Sequence, residues 1–164
     1  MIRKATESDL DQIMELVHSC VRGMQEEGND QWSDEYPGRT DFLADIDRGE
    51  LYIDVQDREV RGVISINGVE PDGYDRVTWS RNGEATVLHR LAVNPRFQGH
   101  GVARGLLGYA EDVARSNGTS YIRSDTYSRN LRMNALFAKA GYSRVGSVHF
   151  ERRTAPFYCY DKRV

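Results

Sequence analysis

The sequence predicts one α/β domain built on a mixed β-sheet, and three observations support this prediction. Short apolar runs with strand-like alternation are separated by stretches in which apolar residues recur every three to four positions. The chain has 164 residues, which suits one domain with its own core better than two. No proline- or serine-rich linker divides it.

The first half of the chain opens with a strand and an amphipathic helix. Thr6 and Asp9 have the spacing of a capping box, with Asp where Glu is usual. The elements predicted here, in order, are a strand at residues 2–5, a helix from Leu10 to Met24, a polar loop at 28–39, a short helix after Thr40, and strands at 51–55 and 60–66.

The second half repeats a strand–helix pattern after a Gly- and Asp-rich connection at residues 67–83. The elements predicted here are a strand at 86–93, a helix from Val102 to about Asn117, a strand at 121–123, a helix over 131–140, and closing strands at 142–150 and 157–160. The strand–helix–strand run at 86–123 predicts two parallel strands with a right-handed crossover. The total is about seven strands and four helices.

The charges are distributed unevenly along the chain. Residues 1–80 hold 8 Lys and Arg against 19 Asp and Glu, whereas residues 81–164 hold 14 against 6. The net charge is only −3. Either the halves bind differently charged partners, or they are two solvated surfaces of opposite sign. The slightly negative total argues against a nucleic-acid partner.

Several other classes of protein are excluded by the sequence. No apolar stretch approaches the ~20 residues that a membrane helix needs, and the acidic N-terminus does not resemble a secretory signal. Cys20 and Cys159 are far apart and form no metal-ligand pattern. We therefore expect a cytoplasmic protein without a metal or a membrane partner.

A glycine-containing turn at residues 96–103 carries the clearest chemical signal. It joins a strand to a helix, and at a helix start several backbone N–H groups lack partners. Glycines let such a turn approach a phosphate, with Arg96 and Arg104 at its edges. The P-loop pattern is absent, and Arg104 stands where a dinucleotide fingerprint needs a small residue. A tight turn without a ligand remains the alternative.

Three ordered segments resemble the GNAT superfamily of N-acetyltransferases. Arg96-x-x-Gly99-x-Gly101 resembles its acetyl-CoA signature, and residues 88–95 resemble the preceding strand. Residues 125–142, with Asn130 followed by a helix that ends in Gly-Tyr, resemble its second cofactor motif. The resemblance covers nearly the whole chain, most sharply residues 86–146.

The resemblance implies a single-domain GNAT-like fold, a twisted mixed sheet whose parallel strands splay apart to hold acetyl-CoA. Residues 1–83 would mainly form the acceptor side and residues 84–164 the acetyl-CoA side. Asn130 would contact the cofactor, and the helix that carries Phe137 would pack beside its thiol end. Backbone groups would bind the pantetheine arm at Leu91, Ala92 and Val93, and the pyrophosphate at Gln98, Gly99, His100, Gly101, Val102 and Ala103, with Arg104 beside them.

The implied reaction moves an acetyl group from a thioester to a primary amine of a small molecule or a peptide. Many family members place a Tyr acid where this chain has Phe137, which has no proton to donate. Tyr127 is the first substitute and Tyr142 the second. Glu84 and His89 are candidate bases, and Asp125 ends a strand beside the cleft, where a capping or turn role is the alternative. The alternatives are a surface charge for Glu84 and packing roles for the tyrosines. For His89 the alternative is a buried structural imidazole, because strand alternation places it on one face with Val87, Leu91 and Val93.

The polar loop at 28–39 would lie across the acceptor end. Trp32, Glu35 and Tyr36 could hold an ammonium group by charge and cation–π contact, or the two aromatics could simply pin the loop. Two other functions stay open: a CoA-binding regulatory module without strong catalysis, which Phe137 favours, and a Rossmann-like nucleotide-binding protein. Homodimers are frequent in the family.

Overall fold

The computed structural model covers residues 1–164 and contains seven strands and four α-helices. The strands are β1 (Ile2–Lys4), β2 (Leu51–Gln56), β3 (Glu59–Asn67), β4 (Thr86–Val93), β5 (Tyr121–Tyr127), β6 (Ser143–Val148) and β7 (Phe157–Arg163). The helices are α1 (Leu10–Glu26), α2 (Arg39–Asp47), α3 (Val102–Ser116) and α4 (Leu131–Lys139). No helix combines the length and apolarity required to cross a bilayer.

All seven strands form one sheet in the order β1-β2-β3-β4-β5-β7-β6. β4 and β5 pair in parallel and every other neighbouring pair is antiparallel. Helix α3 makes the crossover between the two parallel strands. The predicted mixed sheet and the single α/β domain are confirmed.

Helices cover both faces of the sheet. On one face α1 and α2 bury Ile13, Val17 and Phe42 against Ile53 and Val63. The other face is covered by α3 and α4, whose contribution to the core includes Leu106, Ala110 and Phe137. This two-sided cover follows from the apolar stripe of each helix, because a stripe at i, i+3 and i+4 has to leave water against a flat apolar surface.

The start of α1 is fixed as the capping pattern predicts. The Asp9 carboxylate accepts the Thr6 backbone N–H at 2.8 Å and both guanidinium arms of Arg3 at 2.8 Å. The Arg3 hydrogen bonds, with those from Thr6, lower the pKa of Asp9 to about 2 although partial burial opposes them. This contact ties β1 to the 3₁₀ turn at Glu7–Asp9, which leads into α1.

Two strands are longer than the sequence predicts. β5 continues from Arg123 to Tyr127 and β7 from Tyr160 to Arg163, and the two strands pair over their whole length. The polar residues beyond Arg123 stay in strand geometry because β7 satisfies their backbone groups. Residues 124–127 therefore belong to the sheet and not to a loop beyond it.

The side-chain alternation predicted for β4 is wrong beyond residue 88. The pattern places Val87, His89, Leu91 and Val93 on one face. In the structure Val87 lies in a core cluster with Tyr127 and Phe157, whereas Leu91 and Val93 pack against the cluster under α3. An irregularity in the β3–β4 register reverses the faces between these residues.

Candidate active site

The parallel strands β4 and β5 separate part-way along their length. Their pairing runs from Thr86 to Leu88 and stops at the Leu88–Ser124 pair. Arg90 has a φ of 50°, a left-handed conformation that is uncommon outside glycine, and it lies at the β3–β4 irregularity. Beyond it β4 pairs only with β3. A cleft opens on the side of β4 that faces away from β3.

A buried ion pair holds Arg90 in this conformation. Its Nε and Nη2 atoms donate to the Asp45 carboxylate of α2, both at 2.8 Å, and Asp45 has no exposed surface. Arg48 donates to the same carboxylate at 2.7 Å. A forked guanidinium–carboxylate pair is among the stronger side-chain contacts in proteins. The bulge that opens the cleft is thus held through α2.

One arm of the cleft is an elongated groove of about 670 Å³, called here the groove. Its walls are the last turns of α1, residues 91–93 of β4, the glycine-containing turn, the start of α3 and one side of α4. Cys20 of α1 donates its thiol proton to the Val93 carbonyl at 3.2 Å. Basic side chains Arg104, Arg132 and Lys139 lie along the groove with the acidic Glu26 and Glu27.

The glycine-containing turn offers a set of backbone donors to the groove. Gly99 and Gly101 both have a φ of 79°, and a Cβ built on either would meet no atom within 4 Å. The N–H groups of Gly99 and of residues 101–104 have no acceptor within the protein. These donors, with the dipole of the 15-residue α3, form a cradle for an anion.

Arg96 points away from this cradle. Its Nη1 atom pairs with Glu59 at 2.7 Å, and its backbone N–H caps on the Asn94 side chain. Of the two arginines expected at the edges of the turn, only Arg104 lines the groove.

The other arm of the cleft is a smaller chamber of about 190 Å³, called here the inner cavity. It begins where β4 and β5 part, and its floor includes Leu88 and Ser124. The groove and the inner cavity share four lining residues, namely Met24, Leu91, Asn130 and Met133. The two spaces therefore adjoin at the point of strand separation.

Asp125 is the carboxylate of the inner cavity. Burial raises its pKa to about 6, although a 2.5 Å hydrogen bond from the Tyr74 hydroxyl favours the charged form. Tyr74 is itself buried, which raises the pKa of its phenol well above the usual value. Asp125 thus exchanges a proton close to neutral pH, while Tyr74 keeps its own.

His89 lines the same cavity, and its Nε2 atom lies 3.0 Å from Oδ1 of Asn67. Burial, with the charge of Arg90, lowers the pKa of His89 to about 4. The imidazole is therefore neutral at physiological pH and offers one hydrogen-bond donor and one acceptor.

A model of the acetyltransferase (GNAT) family matches residues 10–142 of the chain. The chain belongs to the GNAT family of acetyltransferases. It is 27% identical over 147 residues to the uncharacterized N-acetyltransferase YesJ of Bacillus subtilis strain 168, and the match covers 87% of this chain and 81% of YesJ. It is 31% identical over 123 residues to streptothricin acetyltransferase of Escherichia coli, with 73% of this chain and 64% of that enzyme covered.

Solved GNAT structures share the fold. An acetyltransferase of Streptococcus agalactiae 2603 superposes with a TM-score of 0.88 at 25% identity, covering 100% of this chain and 95% of that chain. The structure of yncA from Salmonella typhimurium with its cofactor acetyl-CoA superposes with a TM-score of 0.72 at 20% identity, covering 99% and 92%. The expected GNAT-like fold and the class of acyltransferase are confirmed.

Most residues expected at the cofactor of this GNAT chain line the groove. They are Leu91, Ala92, Val93, Gln98, Gly99, Gly101, Val102, Ala103, Arg104 and Asn130. His100 does not line it: the ring is exposed, with Nδ1 at 3.0 Å from the Gln98 carbonyl. Phe137 lies in the inner cavity instead, where its ring stacks on Tyr160 at 4.8 Å.

Of the three expected catalytic residues, only His89 lines a cavity of the cleft. Glu84 is exposed and precedes the paired part of β4, so it stands at the opposite end of the strand from the cleft. Tyr127 is fully buried, and its hydroxyl accepts the Ala155 backbone N–H at 3.2 Å. Its ring packs in the core cluster with Tyr74, Val87 and Phe157.

Of the three residues expected at the acceptor, two line the inner cavity and one does not. Trp32 is buried and Tyr36 half-buried, and both line the inner cavity. Glu35 is exposed and lines neither space. Residues 84–164 also supply most of the inner cavity, so the expected division into an acceptor half and a cofactor half does not describe its walls.

Several lining residues had no signal of their own in the sequence. Arg152 and Arg153, on the turn before β7, reach the inner cavity, and the α1 residues Cys20 and Gly23 form a wall of the groove. Asp125 lies in the second cofactor motif, but its hydrogen-bond partner Tyr74 lies 51 residues earlier, in a segment without a motif. No cluster of three or more His, Cys, Asp or Glu side chains is arranged to hold a metal ion.

Proposed function

We propose that this chain transfers the acetyl group of acetyl-CoA directly to the primary amine of a small molecule or a peptide. The observation that carries the proposal is the meeting of the groove and the inner cavity where β4 and β5 separate. A cofactor held along the groove would end at that junction, beside the only carboxylate of the inner cavity. Acetyl-CoA, when bound, supplies the acetyl group as a thioester and leaves as the thiol.

The groove fits the two parts of such a cofactor. Its free N–H groups at Gly99 and residues 101–104 match the negative charge of a pyrophosphate. Residues 91–93 of β4 have no strand on the cleft side, so their backbone is open to amides of a pantetheine arm except at the Val93 carbonyl, which accepts the Cys20 thiol. Asn130 begins α4 at the junction, with its Oδ1 accepting the Met133 N–H at 3.2 Å.

In this proposal Asp125 is the general base. A free amine is normally protonated, with a lysine-like pKa near ~10.4, and the ammonium has to lose a proton before it attacks. Asp125 accepts that proton, and Tyr74 holds the carboxylate in place. The attacking nitrogen gives up its second proton as the amide forms, and this proton converts the departing thiolate to the thiol. A backbone N–H near Leu91 would face the carbonyl oxygen as it gains charge.

The absence of a hydroxyl at Phe137 removes the acid that many family members use. Tyr142 does not replace it, because it lines neither the groove nor the inner cavity. The thiolate of a thioester is a good leaving group without such help, because a thiol has a pKa near ~8.5. His89, neutral at pH 7, stays available to position the acceptor by a hydrogen bond.

We further propose a cytoplasmic location and a homodimer. Both cysteines are free and buried, which agrees with a reducing compartment. Light scattering on the purified chain would give its oligomeric state.

The proposal is tested by measuring acetyl-CoA binding by calorimetry and release of free CoA with a panel of amines. We expect binding without an acceptor and CoA release that depends on an amine. Binding with no release for any amine would favour the CoA-binding regulatory module that Phe137 allows. An absence of binding would contradict both functions.

A further inference from the structure

Positively charged side chains outnumber carboxylates in the lining of the inner cavity. Three arginines line it, Arg90, Arg152 and Arg153, against the single carboxylate of Asp125. Arg90 is neutralised by its buried pair with Asp45. Neither Arg152 nor Arg153 has a carboxylate within 4 Å.

Arg153 is held in place without losing its charge. Its Nε and Nη2 atoms donate to the Gln31 carbonyl at 3.1 and 3.0 Å, and Nη1 donates to the Arg152 carbonyl at 2.7 Å. These acceptors are neutral, and a guanidinium has five N–H groups, so two remain. A side chain fixed in this way loses less entropy when it binds an anion.

Arg152 is positioned by an aromatic ring. Its guanidinium carbon lies 4.7 Å from the ring centre of Tyr36, a residue that also lines the inner cavity. Stacking orients the guanidinium plane and leaves its edge free for a carboxylate or a phosphate. Arg152 and Arg153 come from the turn before β7, whereas Asp125 lies on β5 at the strand separation.

We propose that the acceptor is a small amine that also carries an anionic group, a carboxylate or a phosphate. The amine lies toward Asp125 and the anion toward Arg152 and Arg153. This inference rests on the proposed acetyl transfer and names the substrate class of the same site. The cavity of about 190 Å³ favours a small acceptor, since pockets for drug-sized ligands measure roughly 300–1,000 Å³.

Matched acceptors test the substrate class. Each pair contains an amino carboxylic acid and its neutral amide, and a third arm contains aminoalkyl phosphonates of the same length. We expect kcat/KM to be about ten- to hundred-fold higher for the anionic member than for the amide, as for a charge-assisted hydrogen bond. Whether the carboxylate or the phosphonate reacts faster identifies the anion.

Variants then assign the effect to these two arginines. R152Q and R153Q should each raise KM for the anionic acceptor about tenfold or more and leave KM for the amide nearly unchanged. R144Q is the matched control, because Arg144 is also exposed and stacks on a tyrosine, Tyr158, but lines no part of the cleft. A structural role for Arg153 would instead lower kcat for both acceptors and lower Tm.

Each outcome decides the inference. Equal kcat/KM for acids and amides, or an equal response of both to R152Q and R153Q, would overturn it while amine-dependent CoA release kept the proposed function. If no acceptor released CoA, calorimetry of the CoA-saturated protein with the same acids and amides would decide. Selective binding of the acids, lost in R153Q, would support the anion site, and equal or no binding would overturn it.

Discussion

Two titratable side chains in the inner cavity respond to burial in opposite directions. Burial raises the pKa of the Asp125 carboxyl to about 6 and lowers that of the His89 imidazole to about 4. Both shifts favour the neutral form of the group. Above pH 6 Asp125 is nevertheless charged and His89 is neutral. The inner cavity therefore contains a proton acceptor and a hydrogen-bonding group that stays uncharged.

Asp125→Asn should lower kcat/KM by about 10²–10⁴-fold, the usual contribution of a general base. In the parent protein kcat/KM should fall below about pH 6 as Asp125 gains its proton, and the variant should lose this dependence. Tyr74→Phe removes a hydrogen bond to the carboxylate, so its profile should fall at higher pH than the parent's. An unchanged profile in Asp125→Asn would assign the base elsewhere.

The free energy of unfolding of Asp125→Asn distinguishes a loss of catalysis from a failure to fold. The folded-state pKa of Asp125 is raised, so the native state binds its proton more tightly than the unfolded chain between about pH 4 and 6. Asp125 therefore destabilises the fold progressively as pH rises through that interval. Asp125→Asn should raise the free energy of unfolding by about 1–3 kcal/mol at pH 8, with no gain at pH 3.

At the scale of elements, α3 has similar glycines at its two ends. Gly101 precedes the helix with a φ of 79°, and Gly118 follows it with a φ of 76°. A Cβ on either would meet no atom within 4 Å, so both positions carry the same backbone strain on substitution. They differ in surroundings, because only Gly101 lines the groove and neighbours the free N–H groups.

Gly101→Asp should abolish acetyl-CoA binding, because a carboxylate would occupy the anion cradle. Gly118→Asp is the matched control, with a similar φ and the same charge change at the far end of α3, and should bind acetyl-CoA normally. Calorimetric titration of both variants checks this, and both should lose a similar small amount of stability. Comparable binding losses in the two variants would trace the effect to strain in α3.

Most elements were predictable from the sequence, and the exceptions have a common cause. The apolar stripes of α1 and α3 and the glycines that bound them are local signals. The bulge at Arg90 is not, because its conformation depends on Asp45 in another element and the strand pattern carries no mark of it. The length of β5 is not a local signal either, because pairing with β7 keeps the polar end of β5 in the sheet.

At the scale of the whole molecule, charge does not follow the order of the chain. The acidic first half contributes Glu26 and Glu27 to the groove, beside the expected anion site, and the basic second half contributes Arg152 and Arg153 to the inner cavity. A count over sequence halves cannot detect this exchange, because the fold places the end of α1 and the turn before β7 at the same cleft. The glycine-containing turn is nevertheless recognisable from local spacing, whereas its assignment to acetyl-CoA depends on the resemblance to the GNAT superfamily.

Acetyl-CoA should stabilise the whole chain against heat. At about 100 times its dissociation constant, a ligand that binds only the native state adds about 2.7 kcal/mol, which shifts Tm by about 5–10 °C for a chain of this size. Differential scanning calorimetry with acetyl-CoA and with NAD measures the difference. We expect no shift with NAD, and a shift with NAD in place of acetyl-CoA would contradict the proposed binding of acetyl-CoA in the groove.

The bulge in β4 has a consequence for any change in the length of that strand. Leu88 and Leu91, three residues apart, pack on the α3 face, while Ala92 packs on the α1 face. Even-numbered residues thus face α3 before the bulge and odd-numbered residues face it afterwards. Deleting the single residue Arg90 would restore regular alternation with Leu91 and Val93 still on the α3 face. It would also remove the bulge and close the cleft by letting β4 continue along β5. The cleft therefore depends on one extra residue in β4, Arg90.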